Sequence, residues 1–241
     1  MALTPWNEIR YSQEMYDTYV EPIHQVLEQD SEALWLDQDG IKLAVDQEGT
    51  TTRIHGYYKI HNGDAQKVFD HMYREELRKQ VDSTIAQFST IETVDERTDV
   101  VYHHCRFPLN ILRQRDAVIW RRVLERDPAR GLFTLLWVPC AHSGHPPAAR
   151  ITRIRSRGCY RIVQQADHVD VYSLVFSDLG GAIPMSVIRM SSVPLLLACR
   201  ARIEQLCQRG ENYGAGRSPA SGSPAGESPA GGEAGSLSPA G

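Results

Sequence analysis

The sequence predicts an α+β fold in which a curved antiparallel sheet encloses a cavity beneath a long C-terminal helix. Two observations lead to this prediction. Alternating segments rich in β-branched residues follow one another with short turns between them, which is typical of antiparallel strands. The oily stretch from Ser177 to Leu206 comes after them and can lie as one helix across such a sheet.

The N-terminal half supplies two helices and two strands. We expect a first helix at residues 4–28, with Thr4 as N-cap and Pro5 at the first helical position. The alternative is that Pro22 splits this segment into two helices. The strands "GIKLAVDQ" and "TTRIHGYYKI" follow, joined by the turn "EGT". Asp64 caps the second helix, whose apolar positions fall at helical spacing through Val81.

Six more strands are predicted before the last helix, at residues 84–94, 99–107, 116–125, 131–140, 150–163 and 169–177. The C-terminal residues differ sharply in composition, because Ser-Pro-Ala recurs and no apolar periodicity remains. We therefore divide the chain into an N-terminal helical segment (1–30), a folded domain (31–209) and a disordered tail (210–241). Phosphorylation at the Ser-Pro pairs stays open.

Composition narrows the function classes. Of the 241 residues, 41% are hydrophobic and 23% charged, as in globular proteins that bury a full core. The net charge of -4 does not indicate a nucleic-acid partner or strong attraction to an anionic membrane. The five scattered cysteines and the polar N-terminal residues favour reduced thiols and a cytoplasmic location.

The oily C-terminal stretch is compatible with a membrane anchor, a core helix or a movable lid. A spanning helix needs about 20 consecutive apolar residues. Arg189 and the pair Ser191-Ser192 interrupt the run, so the sequence disfavours spanning and favours a buried or half-buried helix. Gly180 and Gly181 precede it and give the backbone the freedom of a hinge.

Three motifs occur in an order that suggests a family. The second helix ends in Arg-Lys-Gln-Val-Asp at residues 78–82, a later strand begins with Arg115-Asp116, and "DLGGAIP" introduces the last helix. Together they resemble the StAR-related lipid-transfer (START) domain from about Trp35 to Cys207, with the phosphatidylcholine-transfer branch as the best match. The resemblance implies a helix-grip fold: the sheet grips the C-terminal helix around a tunnel for one lipid.

The same resemblance implies a non-catalytic carrier without a cofactor, which contacts membrane surfaces transiently and stays cytoplasmic and peripheral. A phospholipid is favoured over a sterol. The last helix becomes the lid, with Ile183, Val187 and Met190 facing the lipid. A lipid-sensing interaction module without net transfer is the alternative, and an enzyme is a third class.

Arg78 and Asp82 carry the headgroup prediction. By resemblance, Arg78 meets the lipid phosphate, and Asp82 meets choline or orients the arginine. The residues alone are equally compatible with a solvated i,i+4 helix pair. Arg121 corresponds to a tunnel-facing arginine of sterol-binding relatives, and Tyr102 stands where those relatives have an acidic partner. The resemblance therefore predicts that the charged pair is missing, while an exposed strand arginine is the plain alternative.

His104 and Ala117 stand near positions where the phosphatidylcholine branch has aromatic residues around the quaternary ammonium. Tyr160 corresponds to a third. Two other groups of residues could suggest a metal site or a catalytic nucleophile, and the sequence disfavours both. Cys140, His142 and His145 are fewer than the four ligands of a structural zinc site, so no metal is predicted. His104 and Cys105 are adjacent and point to opposite sheet faces, which disfavours a Cys/His nucleophile.

Overall fold

The structure is a computed structural model that describes residues 2–23, 36–38, 40–106, 114–181 and 183–209. Its helices are a 3-10 turn at Trp6–Glu8, α1 at Gln13–Tyr19, a 3-10 turn at Glu21–Ile23, α2 at Ala65–Tyr73, α3 at Glu75–Val81 and α4 at Met185–Gln208. Its strands are β1 Leu36–Gln38, β2 Ile41–Glu48, β3 Thr51–His61, β4 Ile85–Asp95, β5 Thr98–Cys105, β6 Arg115–Asp127, β7 Leu132–Pro139, β8 Thr152–Arg153, β9 Arg155–Gln164 and β10 His168–Asp178.

The strands of the described chain form one sheet in the order β1-β2-β3-β10-β9-β7-β6-β5-β4. Neighbours in this order are antiparallel, and the short β8 pairs with β6 in parallel. β10 lies beside β3, so the last strand joins the two halves of the sheet. The α+β prediction, with its antiparallel sheet and C-terminal helix, is confirmed.

The inner face of the sheet packs against α2 and α4. Its main cluster includes Phe69 from α2, Phe133 from β7 and Ile203 from α4, all almost fully buried. Burial of one such side chain stabilises the fold by about 1.5–3 kcal/mol. α4 is therefore attached firmly to the sheet through its second half.

The predicted single helix at residues 4–28 is wrong. The first residues instead pair with the end of β7: the Trp6 amide donates to the Ala141 carbonyl and the Ala141 amide donates to the Thr4 carbonyl. Only α1 and two 3-10 turns follow, and they cover the outer face of the sheet. This cover explains why β6 is apolar on both faces, with Val118 and Trp120 buried on the outer one. The predicted end of that helix, at residues 24–28, lies outside the described residues.

The second predicted helix is two helices. Asp64 does cap α2, accepting a hydrogen bond from the Lys67 amide at 2.8 Å. Arg74 then takes an extended conformation, with φ -77 and ψ 139, and separates α2 from α3. The break leaves the Tyr73 carbonyl without a helical partner, and the guanidinium of Arg121 donates to it.

Most predicted strands are found, with shifted ends. The strand expected at residues 150–163 divides at Ile154 into β8 and β9, because the Ile154 amide donates to the Asp116 carbonyl of β6. β1 was not predicted. The domain boundaries near residues 30 and 210, and the tail predicted to be disordered, lie outside the described residues. Within the described chain, none of the helices has the length and apolar content that crossing a bilayer requires.

Candidate functional site

An apolar cavity of about 550 Å³ lies between the first half of α4 and the sheet. We call it the tail cavity. It is lined by Ile54, Ser83, Thr84, Leu179, Ile183, Val187, Ile188, Met190, Ser191, Ser192, Pro194, Leu195 and Ala198. No charged side chain is in this set, and its volume lies within the range of small-ligand sites.

A smaller cavity of about 190 Å³ adjoins it, and we call this one the head cavity. The two share Ile54, Ser192 and Leu195 as walls. The head cavity adds the ionisable side chains of Arg78 and Asp82 and the hydroxyl-bearing residues Tyr58, Tyr160 and Ser173. The two cavities are therefore neighbours, one apolar and the other with charged side chains.

Arg78 is buried at the head cavity and is weakly paired. Its side chain is 16% exposed, and its Nη2 lies 3.5 Å from Oδ2 of Asp82, itself 9% exposed. Asp82 is held from the other side, because its Oδ1 accepts hydrogen bonds from the amide and the hydroxyl of Thr84 at 3.0 and 2.6 Å. The alternative of a solvated helix pair is therefore wrong.

Two tyrosine hydroxyls face the same space as Arg78. Burial raises the pKa of Tyr58 and of Tyr160 well above the ordinary value, so both side chains stay neutral and can donate a proton in a hydrogen bond. Tyr58 is only 3% exposed and borders the head cavity. The ring of Tyr160 is fixed by that of Trp137, whose centroid is 4.7 Å away.

Tyr102 and His104 lie on the outer face of β5, which corrects their predicted position at the lipid. The ring of Tyr102 packs on His145 at 4.9 Å, and Nε2 of His104 is 2.9 Å from Oε1 of Gln114. Strand residues alternate between faces, so the side chains that point inward are those of Asp99, Val101, His103 and Cys105.

His103 and Cys105 were missed as an inward-facing pair, although residues two apart on a strand share a face. Nε2 of His103 lies 3.1 Å from the Cys105 sulfur. Burial, with Arg78 as the next cause, lowers the pKa of His103 to about 4. Burial, with Asp82 as the next cause, raises the pKa of Cys105 to about 12. Both groups are neutral at pH 7, so the pair lacks the thiolate that a nucleophile needs.

Arg121 has an acidic partner, which corrects the prediction of a missing pair. The register of β5 and β6 sets Asp99, rather than Tyr102, opposite Arg121. Nε and Nη2 of Arg121 donate to the two carboxylate oxygens of Asp99 at 2.8 and 2.6 Å. The guanidinium carbon also lies 4.4 Å from the Tyr73 ring centroid and 5.3 Å from that of Phe88. Arg121 is buried and borders neither cavity, so it is not an exposed strand arginine.

The three predicted lid residues, Ile183, Val187 and Met190, all border the tail cavity. Met190 lies at its rim and is 61% exposed. Gly180 and Gly181 precede the helix with φ of +70 and +80, a region that favours glycine. A Cβ at Gly180 would also lie 2.4 Å from Cγ2 of Thr152, so this joint accepts no side chain.

The histidine-rich turn after β7 forms local contacts. His142 bonds to Glu92 at 3.1 Å, and the rings of His142 and His145 are 5.4 Å apart. Across the described residues, no group of three or more His, Cys, Asp or Glu side chains converges as a metal site. All five cysteines are buried free thiols.

Comparisons with known proteins identify the fold. No protein-family model matches the sequence, and no curated protein matches it. Human STARD10 superposes with a TM-score of 0.69 at 19% identity, over 86% of this chain and 83% of that one. Human StAR-related lipid transfer protein 5 gives a TM-score of 0.66 at 14% identity, over 82% and 99% of the two chains.

The fold is the START fold. A bacterial STAR-related lipid transfer protein fragment from Xanthomonas axonopodis also shares it, with a TM-score of 0.59 at 22% identity over 73% of this chain and 100% of that one. The predicted helix-grip architecture is thereby confirmed. At these identities the likeness extends to the START fold, and the choice among ligands has to be argued from this chain's own side chains.

Proposed function

We propose that this protein is a START-type lipid carrier that holds one lipid in the joined tail and head cavities and moves it between membranes. The observation that supports this most directly is an apolar cavity of about 550 Å³ that continues to a buried, weakly paired arginine. Such a pocket suits an amphiphile with an anionic group. The inward-facing pair of His103 and Cys105 offers no thiolate nucleophile, which agrees with a carrier and not an enzyme as the proposed role.

Physical chemistry explains why a closed cavity serves transfer. Each methylene moved from an apolar environment into water costs about 0.8 kcal/mol, so a 16-carbon chain costs roughly 13 kcal/mol. Lipids therefore leave a membrane slowly on their own. A carrier that opens at the surface and closes afterwards keeps the chain out of water. This role implies a cytoplasmic protein in transient, peripheral contact with membranes.

The first half of α4 is the proposed gate. It covers the tail cavity, and it is bounded by the glycine pair before it and by Pro194 within it. Met190 exposes 61% of its surface on this half of the helix, which suits contact with a membrane. The second half carries Cys199, Ile203 and Leu206 into the core and would stay in place.

The proposal is tested by measuring lipid transfer between vesicles while the first half of α4 is reversibly cross-linked by a disulfide. A cysteine pair joining the first half of α4 to the Ser83–Thr84 segment, which lies across the tail cavity, is oxidised or reduced in the same preparation. We expect transfer to stop on oxidation, to resume on reduction, and bound lipid to be retained throughout. Equal transfer in both states would refute the gate, and binding without any transfer would favour a lipid sensor.

The headgroup part of the proposal favours a phospholipid over a sterol and concerns Arg78. In the phosphatidylcholine-transfer branch the corresponding arginine meets phosphate, and a guanidinium is well suited to that partner. We expect Arg78→Ala to weaken phospholipid binding about 100-fold, since losing one member of a buried charged pair costs about 3–5 kcal/mol and 1.4 kcal/mol is tenfold. Cholesterol binding should change little.

The comparison uses a panel of single-chain and two-chain phospholipids beside cholesterol. Lys79→Ala is the matched control, because Lys79 is the next residue on α3 and pairs with Glu75 at the exposed surface. Equal loss of sterol and phospholipid in Arg78→Ala would indicate general misfolding. Unchanged binding of both would remove Arg78 from the ligand site.

A further inference from the structure

We infer that the ligand is a single-chain anionic amphiphile, with one acyl chain of about 16–18 carbons and a carboxylate or phosphate monoester as its head. This inference rests on the proposed function and narrows it. It follows from three features of the pocket: the size of the tail cavity, the size of the head cavity, and the donors that surround the latter.

The tail cavity holds one chain. Its 550 Å³ would be filled by about 18 water molecules at roughly 30 Å³ each. A methylene group occupies nearly the same volume as a water molecule, so one long acyl chain fills the space. A second chain would require a cavity about twice as large, and overpacking a protein interior is costly.

The head cavity is too small for a large polar group. Its 190 Å³ corresponds to about six water molecules. A carboxylate or a phosphate fits this space, whereas a phosphate that carries a choline group as well exceeds it.

Three side chains that line the head cavity beside Asp82 can donate hydrogen bonds: Arg78, Tyr58 and Tyr160. Arg78 has five N–H groups and uses few of them, at Asp82 (3.5 Å) and at the hydroxyl oxygen of Tyr160. The hydroxyls of Tyr58 and Tyr160 stay protonated and border the same space. An anionic head would receive charge-assisted hydrogen bonds from the guanidinium and two neutral ones from the tyrosines. A sterol hydroxyl would use few of these donors.

Binding of defined lipids to the full chain tests the head and the number of chains. Displacement of a fluorescent fatty acid is measured with palmitate, 1-palmitoyl lysophosphatidate, hexadecanol, dioleoylphosphatidylcholine and cholesterol, and native mass spectrometry counts the bound molecules. We expect palmitate, lysophosphatidate or both to bind one to one, at least about tenfold more tightly than the other three. The tighter of these two identifies the head as carboxylate or phosphate.

Each other outcome is decisive. One-to-one binding of dioleoylphosphatidylcholine at equal or higher affinity would overturn the single chain and leave the lipid carrier standing. Hexadecanol binding as tightly as palmitate would overturn the anionic head. If no lipid binds, both this inference and the proposed function fail.

A chain-length series provides an independent test. Val187 borders the tail cavity, whereas Leu197 lies on the same helix, is exposed and does not border it. Val187→Phe should shift the preferred fatty acid from about 16–18 carbons to one shorter by roughly two to four carbons, because each buried methylene needs its own space. Leu197→Phe should leave the preference unchanged. An unshifted preference in Val187→Phe would exclude this cavity as the site of the chain.

Discussion

Two buried arginine–carboxylate pairs lie on the inner side of the sheet, and they differ in how fully the arginine is used. Arg121 donates through all three nitrogens, to both oxygens of Asp99 and to the Tyr73 carbonyl, and two aromatic rings flank it. Arg78 reaches Asp82 at 3.5 Å and also contacts the hydroxyl of Tyr160, beside a cavity. The comparison teaches that burial alone does not mark a binding arginine. The proposal for Arg78 therefore depends on the number of its donors that have no close partner in the fold.

The largest effect on stability is expected at the fully used pair. Arg121→Ala leaves the Asp99 carboxylate buried without its cation and should lower the free energy of unfolding by about 3–5 kcal/mol. The neighbouring Arg122 pairs with Asp95 at the surface, where both side chains are at least 30% exposed, so Arg122→Ala should cost less than about 1 kcal/mol. Urea unfolding of the two variants measures both values, and similar losses would refute the structural role of the Arg121 pair.

His103 lies near both arginines. Burial lowers its pKa to about 4, and the positive charges of Arg78 and Arg121 add to this effect. The unfolded chain binds a proton at His103 below about pH 6.5, whereas the folded protein does so only near pH 4. The unfolded state therefore binds more protons between these values. The free energy of unfolding should fall as the pH drops through this window, by up to about 3 kcal/mol from His103 alone.

This prediction is measured as a difference between variants at pH 7 and pH 4.5, because other groups titrate in the same range. His103→Gln should show a flatter dependence than the wild type. If the His103 variant retains the full slope, burial and the neighbouring charges do not lower the pKa of this histidine.

A smaller difference in stability and in lipid affinity is expected between variants of the two carboxylates, Asp82 and Asp99. Asp82→Asn keeps an oxygen for Thr84 but weakens the contact with Arg78, so we expect a loss of about 1–3 kcal/mol in unfolding free energy. Affinity for an anionic lipid should be kept or increased, because a competing negative charge is removed. Asp99→Asn should destabilise more and leave lipid affinity unchanged in the folded fraction. A loss of anion affinity in Asp82→Asn would show that the carboxylate orients Arg78 for the ligand.

The sequence predicted the faces of β6 but not those of β5, for a physical reason. Alternation correctly groups Ala117, Ile119 and Arg121 on one face. It cannot identify which residue of β5 lies opposite Arg121, because that depends on the register between strands. Residues 106–114 separate the two strands, so the register cannot be counted through a tight turn. The resemblance instead placed Tyr102, three residues from Asp99, at the acidic position and predicted that the charged pair is missing.

Burial of Arg78 was equally hard to derive from the residues alone. The spacing of Arg78 and Asp82 is that of an ordinary exposed helix pair. Whether that face is covered depends on α4, whose Arg202 donates to the Gln80 carbonyl at 3.2 Å across a long sequence separation. The resemblance to the START family supplied what local spacing could not. The position of α4 was easier to predict, since a helix that follows two glycines is visible in the sequence itself.

Pro194 lies inside α4 and divides it into two parts that can bend relative to each other. It has no N–H, so the carbonyl of Met190 has no donor four residues ahead and the helix can bend there without breaking a hydrogen bond. The arm in front of it, residues 185–193, is about 13 Å long. Behind it, Glu204 accepts a hydrogen bond from the His61 amide and Ile203 stays in the core. A short arm that bends while its base remains anchored would let cargo enter and leave repeatedly, with most of the domain still folded.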